Sequence, residues 1–336
     1  MDDLFKMRVL TAAVNEMQNP ALRVFNRVFR GREHLEPSDR LAFDVISGNE
    51  TLLGTISVAA PASVTEKTGR RTITMTAPRL AHKRLIHTAE LNALRAYGVP
   101  AQVEMMKTRI AREQLDMRNM IDRTLEYWAC SALKGIIYDA DLSTQLVDYH
   151  VAGSHKPTLT GTDLWTDAES DPIGRIRTWK RLIEDDAGAS ITGWTAFLGS
   201  SVMDALLTHD SVREVLRYDR GSQMAETGRI QRLAEVELSE YNGSFLDSGG
   251  VRRRFIDEDA FLLIGHCQDL VDVPFAPVVD DEAPGGVGNL TADGGGALYF
   301  SKSWQEKDPS GRWIKVEARP LPVLQRPGAV VYAKAV

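Results

Sequence analysis

The longest hydrophobic pattern in the chain has helical spacing. Over residues 102–135, apolar side chains recur at Met106, Ile110, Met117, Ile121, Leu125, Trp128 and Ala132, with charged and polar residues between them. Steps of three, four and seven put these positions on one narrow stripe. The pattern predicts one continuous helix, entered at Pro100 and stopped at Lys134-Gly135. At ~1.5 Å per residue it is roughly 50 Å long. A helix of that length, buried on one face only, reads as a strut.

The segments before it have a different period. A short amphipathic helix is expected at the start (Leu4, Met7, Leu10-Thr11, Val14, Met17), followed by an arm carrying Leu22, Phe25 and Phe29. The arm has no evident core of its own, so these three residues are expected to dock on something else. Residues 41–87 alternate apolar and polar in two runs. One runs through Leu41, Phe43, Val45, Leu53, Ile56 and Val58; the other runs through Ile73, Met75, Leu80, Leu85 and Ile86. Between them lies the polar stretch Pro61, Thr65, Lys67, Gly69, Arg70, Arg71. The reading is a long β-hairpin, marginal alone in water and in need of a neighbour to lie on.

Beyond the long helix, residues 136–149 are strand-like. Asp171-Pro172 opens a helix with Ile173, Ile176, Trp179 and Ile183 on one face, stopped by Gly188. The run ITGWTAFLG predicts a buried strand. Ser200 is placed to cap a helix reaching about Tyr218, with Val202, Leu206, Val212, Val215 and Leu216 inward. Residues 230–270 are strand-rich, with AFLLIG (260–265) the most deeply buried run. A Gly/Pro/Asp-rich stretch follows, containing Gly285, Gly286, Gly288, Gly294, Gly295 and Gly296, and reads as a surface loop. The end of the chain reads as strands interrupted by Pro320, Pro322 and Pro327.

Composition adds that 336 residues suffice for two or three lobes with real cores. No run of ~20 apolar residues predicts a membrane span. The opening residues lack the basic start and apolar core of a signal peptide. Two cysteines, Cys130 and Cys267, make no disulfide framework, which fits synthesis in a reducing cytoplasm. The net charge of −6 is unevenly spread. Residues 1–135 hold 20 basic and 15 acidic side chains, and the rest hold 20 and 31, giving +5 and −11. The basic residues are scattered with few aromatics among them, unlike a nucleic-acid arm. Either both parts are ordinary solvated surfaces, or the N-terminal part of one subunit lies across the acidic part of another.

Catalytic chemistry is not predicted. GGVGNL (285–290) lacks the full dinucleotide fingerprint, and there is no Walker motif, HExxH or paired CxxC. The seven histidines are dispersed, and His82 and His87 point to opposite faces of a strand. Ser200-Ser201 lacks the GxSxG elbow, and Asp185-Asp186 reads as a solvated pair at a helix end. No enzyme, cofactor or metal is expected.

Four stretches together, in order and spacing, carry a resemblance. They are the hairpin tip APASVTEKTGRRTITMTAP (60–78) and the long helix with KTRIAREQLDMRNMID and its end SALKG (131–135). The others are GWTAFLGSSVMDALLTHDSVREVL (193–216) and RPLPVLQRPGAVVYAKAV (319–336). Across nearly the whole chain the sequence resembles tailed-phage major capsid proteins of the lambda-like protein E family. That resemblance implies an α+β Hong Kong 97-type capsid fold. Residues 1–40 would form the N-arm, 41–87 the E-loop hairpin, and 88–189 a peripheral domain with its spine helix at 102–134. Residues 190–303 would form the axial domain, and 304–336 strands completing the peripheral domain. The Gly/Asp-rich insert departs from the family pattern and is a candidate axial loop.

The function implied is self-assembly into hexamers and pentamers of an icosahedral shell around double-stranded DNA, without sequence-specific DNA binding. The implied setting is the virion, assembled in the host cytoplasm with no membrane contact. The implied partners are a portal, a separate scaffolding protein and room for a cementing protein. The alternative of the same fold is the shell of a cellular nanocompartment.

Overall fold

The structure is a computed structural model. It describes residues 6–17, 22–46, 69–87, 101–219, 230–283, 297–308 and 310–336, with the backbone alone at 101–107 and 217–219. In chain order its first half runs α1 (Met7–Glu16), a π-helical turn (Phe25–Phe29), β1 (Glu33–Leu35), β2 (Arg40–Ile46), β3 (Arg70–Thr76), β4 (Leu80–His87) and α2 (Ala101–Lys134). Then come β5 (Ile136–Tyr138), β6 (Gln145–Asp148), α3 (Pro172–Asp186), β7 (Gly193–Leu198), α4 (Ser200–Thr208) and α5 (Asp210–Asp219). Strands make up the rest: β8 (Arg232–Leu233), β9 (Val236–Glu240), β10 (Ser244–Leu246), β11 (Arg252–Arg254), β12 (Ala260–His266) and β13 (Val271–Phe275). The last four are β14 (Phe300–Glu306), β15 (Gly311–Ala318), β16 (Val323–Leu324) and β17 (Val330–Lys334).

The chain divides into two compact units. The first comprises residues 1–42, 74–126 and 273–322, and the second 43–73, 127–272 and 323–336. Helix α2 runs through the boundary. It ends where expected, at Gly135, whose φ of +99° suits a residue without a side chain. A Cβ there would lie 2.6 Å from the Val151 methyl.

In the first unit, β14, β15 and β4 form an antiparallel sheet in the order β14-β15-β4. Helix α1 packs on β14. The Thr11 hydroxyl donates to the Ser301 carbonyl at 3.0 Å and accepts the Ser301 N–H at 3.1 Å. Gln114 of α2 joins both, donating to the Leu10 carbonyl and the Ser301 hydroxyl. On α2, Ile110, Met117, Ile121 and Leu125 are buried, as the stripe predicts, while Leu115 and Met120 stay exposed. The second half of the sequence's hairpin arm does not belong to the hairpin. Strand β4 leaves β3 after Thr76 and pairs along its whole length with β15. Its alternation fits either partner, and only the distant β15 decides.

The second unit is built on a five-stranded mixed sheet, β17-β12-β7-β9-β8. Strand β12 is an interior strand, buried apart from its last residue, and has partners on both edges: β7 on one side and β17 on the other, both antiparallel. The terminal strands therefore do not act together. β14 and β15 belong to the first unit, whereas β17 completes the sheet that holds β7, β9 and β12. Trp165, Trp179 and Phe261 pack mutually with ring centroids 5.1 to 5.8 Å apart. Asp171 caps α3 by accepting the Gly174 N–H, and Gly188 follows at φ +60°.

Two expectations fail in this unit. The one-sided burial of α2 ends at its last turns: Trp128, Ala129, Cys130, Ala132 and Leu133 are all buried, so the helix tip is a core element. The helix expected from Ser200 to about Tyr218 is two helices, broken at His209, whose backbone is extended. The break turns Val215 outward, to 50% exposure, while Val202, Leu206, Val212 and Leu216 stay inward. Gly199, not Ser200, occupies the cap position, because a Cβ there would meet the Asp257 carbonyl oxygen at 2.3 Å.

Candidate intersubunit surfaces

Among the described residues the hairpin legs β2 and β3 form a sheet of two strands. Only β2 has a strongly buried face, at Leu41 and Phe43, with the Phe43 ring 6.1 Å from Tyr149. Strand β3 is exposed at Arg70, Arg71, Thr72, Thr74 and Thr76 and only half-buried at Ile73 and Met75. The polar links between the legs lie at the surface. The Arg70 guanidinium sits 3.2 Å from Asp44, and the Thr72 hydroxyl donates to Asp44 at 2.6 Å. An exposed ion pair of this kind contributes ~1 kcal/mol or less. Of the predicted tip residues, Gly69, Arg70 and Arg71 fall here. Pro61, Thr65 and Lys67 lie outside the described residues, as do Gly285, Gly286, Gly288, Gly294, Gly295 and Gly296.

The N-arm departs from expectation. Leu22, Phe25 and Phe29 are buried against their own chain, with Val24. The Phe25 and Phe29 rings stack at 5.9 Å. The Glu126 carboxylate of α2 accepts the backbone N–H groups of Val24 and Phe25 at 2.9 and 3.0 Å, so one buried carboxylate caps the π-helical turn of the arm. Beyond the turn, β1 runs parallel to β13, Glu33 opposite Val273 and Leu35 opposite Phe275. The arm's aromatic side chains thus occupy a core in their own subunit, which leaves its polar outer face for any neighbour. Of the spine-helix residues, Ile110, Met117, Ile121, Leu125 and Trp128 are buried, and the Met106 side chain lies outside the described residues.

Buried charge in the first unit was not singled out from the sequence. Asp122 accepts the Tyr299 hydroxyl at 2.7 Å and pairs with Arg118, whose guanidinium lies over the Tyr299 ring and also donates to the Val14 carbonyl. Burial first, and then the Asp122 charge, push the Tyr299 phenol well above its usual value. Glu317, fully buried, takes a two-pronged contact from Arg79 at 2.7 and 2.8 Å and a further one from Lys315. Asp280 is held by Lys302 and Lys315. The available signal was a pair of acidic residues, Asp122 and Glu126, each directly following a stripe residue, Ile121 and Leu125.

Among the described residues no group of three or more His, Cys, Asp or Glu could hold a metal ion, and no helix is long and apolar enough to cross a membrane. The Ser170 and Ser211 hydroxyls flank His209 at 3.0 and 2.8 Å, one on each ring nitrogen. Asp167 offers that ring its backbone carbonyl. This arrangement fixes the joint between α4 and α5.

This mixture of helices and sheets is that of the Hong Kong 97-type capsid fold. Solved structures share it over nearly the whole chain. One described as a prophage capsid protein from E. coli CFT073 has a TM-score of 0.66 at 18% identity, covering 98% of this chain and 99% of that one. A phage-related protein from Bordetella bronchiseptica RB50 has 0.60 at 11%, covering 98% and 96%. The mature capsid of bacteriophage PhiM1 has 0.51 at 13%, covering 95% and 87%. The chain belongs to the phage major capsid protein E family, whose model matches residues 6–335. No curated protein matches it.

Proposed function

We propose that this capsid protein builds its shell from hexamers and pentamers in which the hairpin of β2 and β3 is the strap laid over the next subunit. The observation that carries this is β3, fully exposed on one face and only half-buried at Ile73 and Met75 on the other, in a sheet of two strands among the described residues. Such a ribbon is marginal in water and gains from covering a neighbour's surface at ~25 cal/mol per Å² of apolar area. In this reading the five-stranded sheet of the second unit belongs to the axial domain, and the sheet β14-β15-β4 with residues 101–126 of α2 to the peripheral domain. The shell encloses double-stranded DNA without gripping it, since an acidic chain offers few phosphate-neutralising groups. It performs no chemistry of its own and works with a portal, a separate scaffold and, where present, a cementing protein. Assembly takes place in the host cytoplasm. The family match favours a virion over a cellular nanocompartment.

Replacing residues 65–71 by a short Gly-containing turn tests the strap. The expected product is a soluble subunit with unchanged helical content whose closed shells fail or break easily under heat. Arg70→Glu with Arg71→Glu should act in the same direction more mildly. Shells of normal size and heat resistance from the shortened chain would sink the assignment.

A further inference from the structure

The two legs of the hairpin are closed at their root by a residue that lies on neither. Asp39 directly precedes β2 and Ala77 directly follows β3, and the Ala77 N–H donates to the Asp39 carbonyl at 3.1 Å. Under this closure lies Arg319, in the RPLP segment, with its side chain 4% exposed. One end of its guanidinium donates to the Asp39 carboxylate and, at 2.8 Å, to the Pro277 carbonyl. The other end donates to the Ala77 carbonyl at 2.9 Å. Its Nε is buried without an acceptor. The segment that presents Arg319 is itself held: the Arg319 carbonyl accepts the Ala276 N–H, and Leu321 donates to the Pro274 carbonyl.

This is an unusual use of a buried cation. Its one carboxylate partner among the described residues, Asp39, is 59% exposed, and its guanidinium also donates to two backbone carbonyls. A planar guanidinium can span Asp39 and Ala77 at once; a lysine ammonium on the same stem is a single point and cannot hold both. Burying the guanidinium costs desolvation, so hydrophobic side chains of similar size would serve simple packing at least as well. What the fork adds is geometry: both ends of a two-stranded ribbon are tied to one rigid group.

We propose that Arg319, through Asp39 and Ala77, is the positioning residue of the hairpin. It keeps the two legs together at their root, so that the ribbon presents itself to a neighbouring subunit as a preformed strap. Ordering cost is thereby met in the subunit before assembly instead of at the interface. This rests on the reading of the hairpin as the intersubunit strap.

The test uses the full-length chain with Arg319→Lys and, separately, Asp39→Asn, whose exposed side chain makes a folding failure far less of a risk. Two measurements are made on each: amide exchange at Ala77 in dissociated subunits, and yield and heat resistance of shells by sedimentation and electron microscopy. Either variant is expected to speed Ala77 exchange about tenfold, the loss of one charge-assisted bond, with unchanged helical content. Shell yield or heat resistance should fall with it. Where Arg319→Lys does not fold, Asp39→Asn carries the decision. Wild-type protection of Ala77 in the folded variant overturns the clamp. Faster exchange with unaltered shells overturns its role in positioning the strap. Should the wild-type chain form shells that do not depend on residues 65–71, the strap reading fails on its own, and Ala77 exchange still reports on the clamp.

Discussion

Glu126 caps Phe25: the buried carboxylate on the long helix accepts the backbone N–H of the arm residue at 3.0 Å, and that of Val24 at 2.9 Å. The contact ties the N-arm to the helix inside one subunit. Removing both acceptors would strand two buried N–H groups.

Glu126→Leu is therefore expected to lower subunit stability by about 1–3 kcal/mol. Glu126→Gln, which keeps one acceptor oxygen, should lose less. Denaturant unfolding of dissociated subunits gives the magnitude. Amide exchange at Val24 and Phe25 gives the location, and unchanged protection there in the leucine variant would contradict the cap.

Glu317 and Asp280 make the subunit acid-sensitive. Burial pushes each carboxyl up, but Arg79 and Lys315 around Glu317, and Lys302 with Lys315 around Asp280, outweigh it and hold both below their usual range. In the unfolded chain such groups take up protons near pH ~4, and in the folded chain only at lower pH. A depressed folded value contributes stability that is present above the unfolded value and is lost as pH falls through the folded one. Stability should thus decline from about pH 5 downward. Glu317→Gln should be less stable at neutral pH and show a shallower decline. Unfolding at stepped pH reads both, and equal slopes for variant and wild type would count against the assignment.

Gly199 precedes α4 where carbonyl oxygens of Asp257 and Glu258 would lie 2.3 and 2.4 Å from a Cβ. Both are backbone atoms with little room to shift. Gly199→Ala is expected to cost about 1–3 kcal/mol. A thermal midpoint within error of wild type would show that the 257–258 turn yields easily.

The middle and the C-terminal end of the long helix should respond differently to the same change. Leu133 is fully buried, so Leu133→Ala should cost about 2–5 kcal/mol. Leu115 is exposed on the same helix, and Leu115→Ala should stay within ~0.5 kcal/mol. If Leu115→Ala leaves the subunit unchanged yet weakens shells, that face meets a neighbour. Equal losses in the isolated subunit would contradict the burial described for this helix.

Local signals in the sequence located what local forces decide. Asp171-Pro172, Gly135 and Gly188 marked helix ends that the backbone respects, and the stripe from Ile110 to Leu125 marked a buried face. The misreadings share a cause: the deciding partner lies far along the chain. Phe25 and Phe29 read as homeless because the arm is held by partners far along the chain: Glu126 accepts the Phe25 N–H, and residues 33–35 pair with 273–275. Strand β4 read as hairpin because its alternation does not name β15. Asp122 and Glu126 carry no local signal of burial, because only the structure brings Tyr299 and the arm to them. His209 gave no helix-breaking signal of the glycine or proline kind. The hairpin tip and the glycine-rich insert, legible as polar loops, lie outside the described residues.

The parallel pairing of β1 with residues 273–275 bears on how the protein is made. The arm leaves the ribosome early, but the strand that seats it is translated near the end. Until then β1 has no strand to pair with, and the arm beyond the Phe25–Phe29 turn stays unpaired on the nascent chain. A chain terminated before Val273 never gains that strand. Products truncated there should be rejected from particles, detectable as their absence when mixed expression products are sedimented. The topology thereby makes seating of the arm a late event: only a copy translated past Phe275 can pair β1.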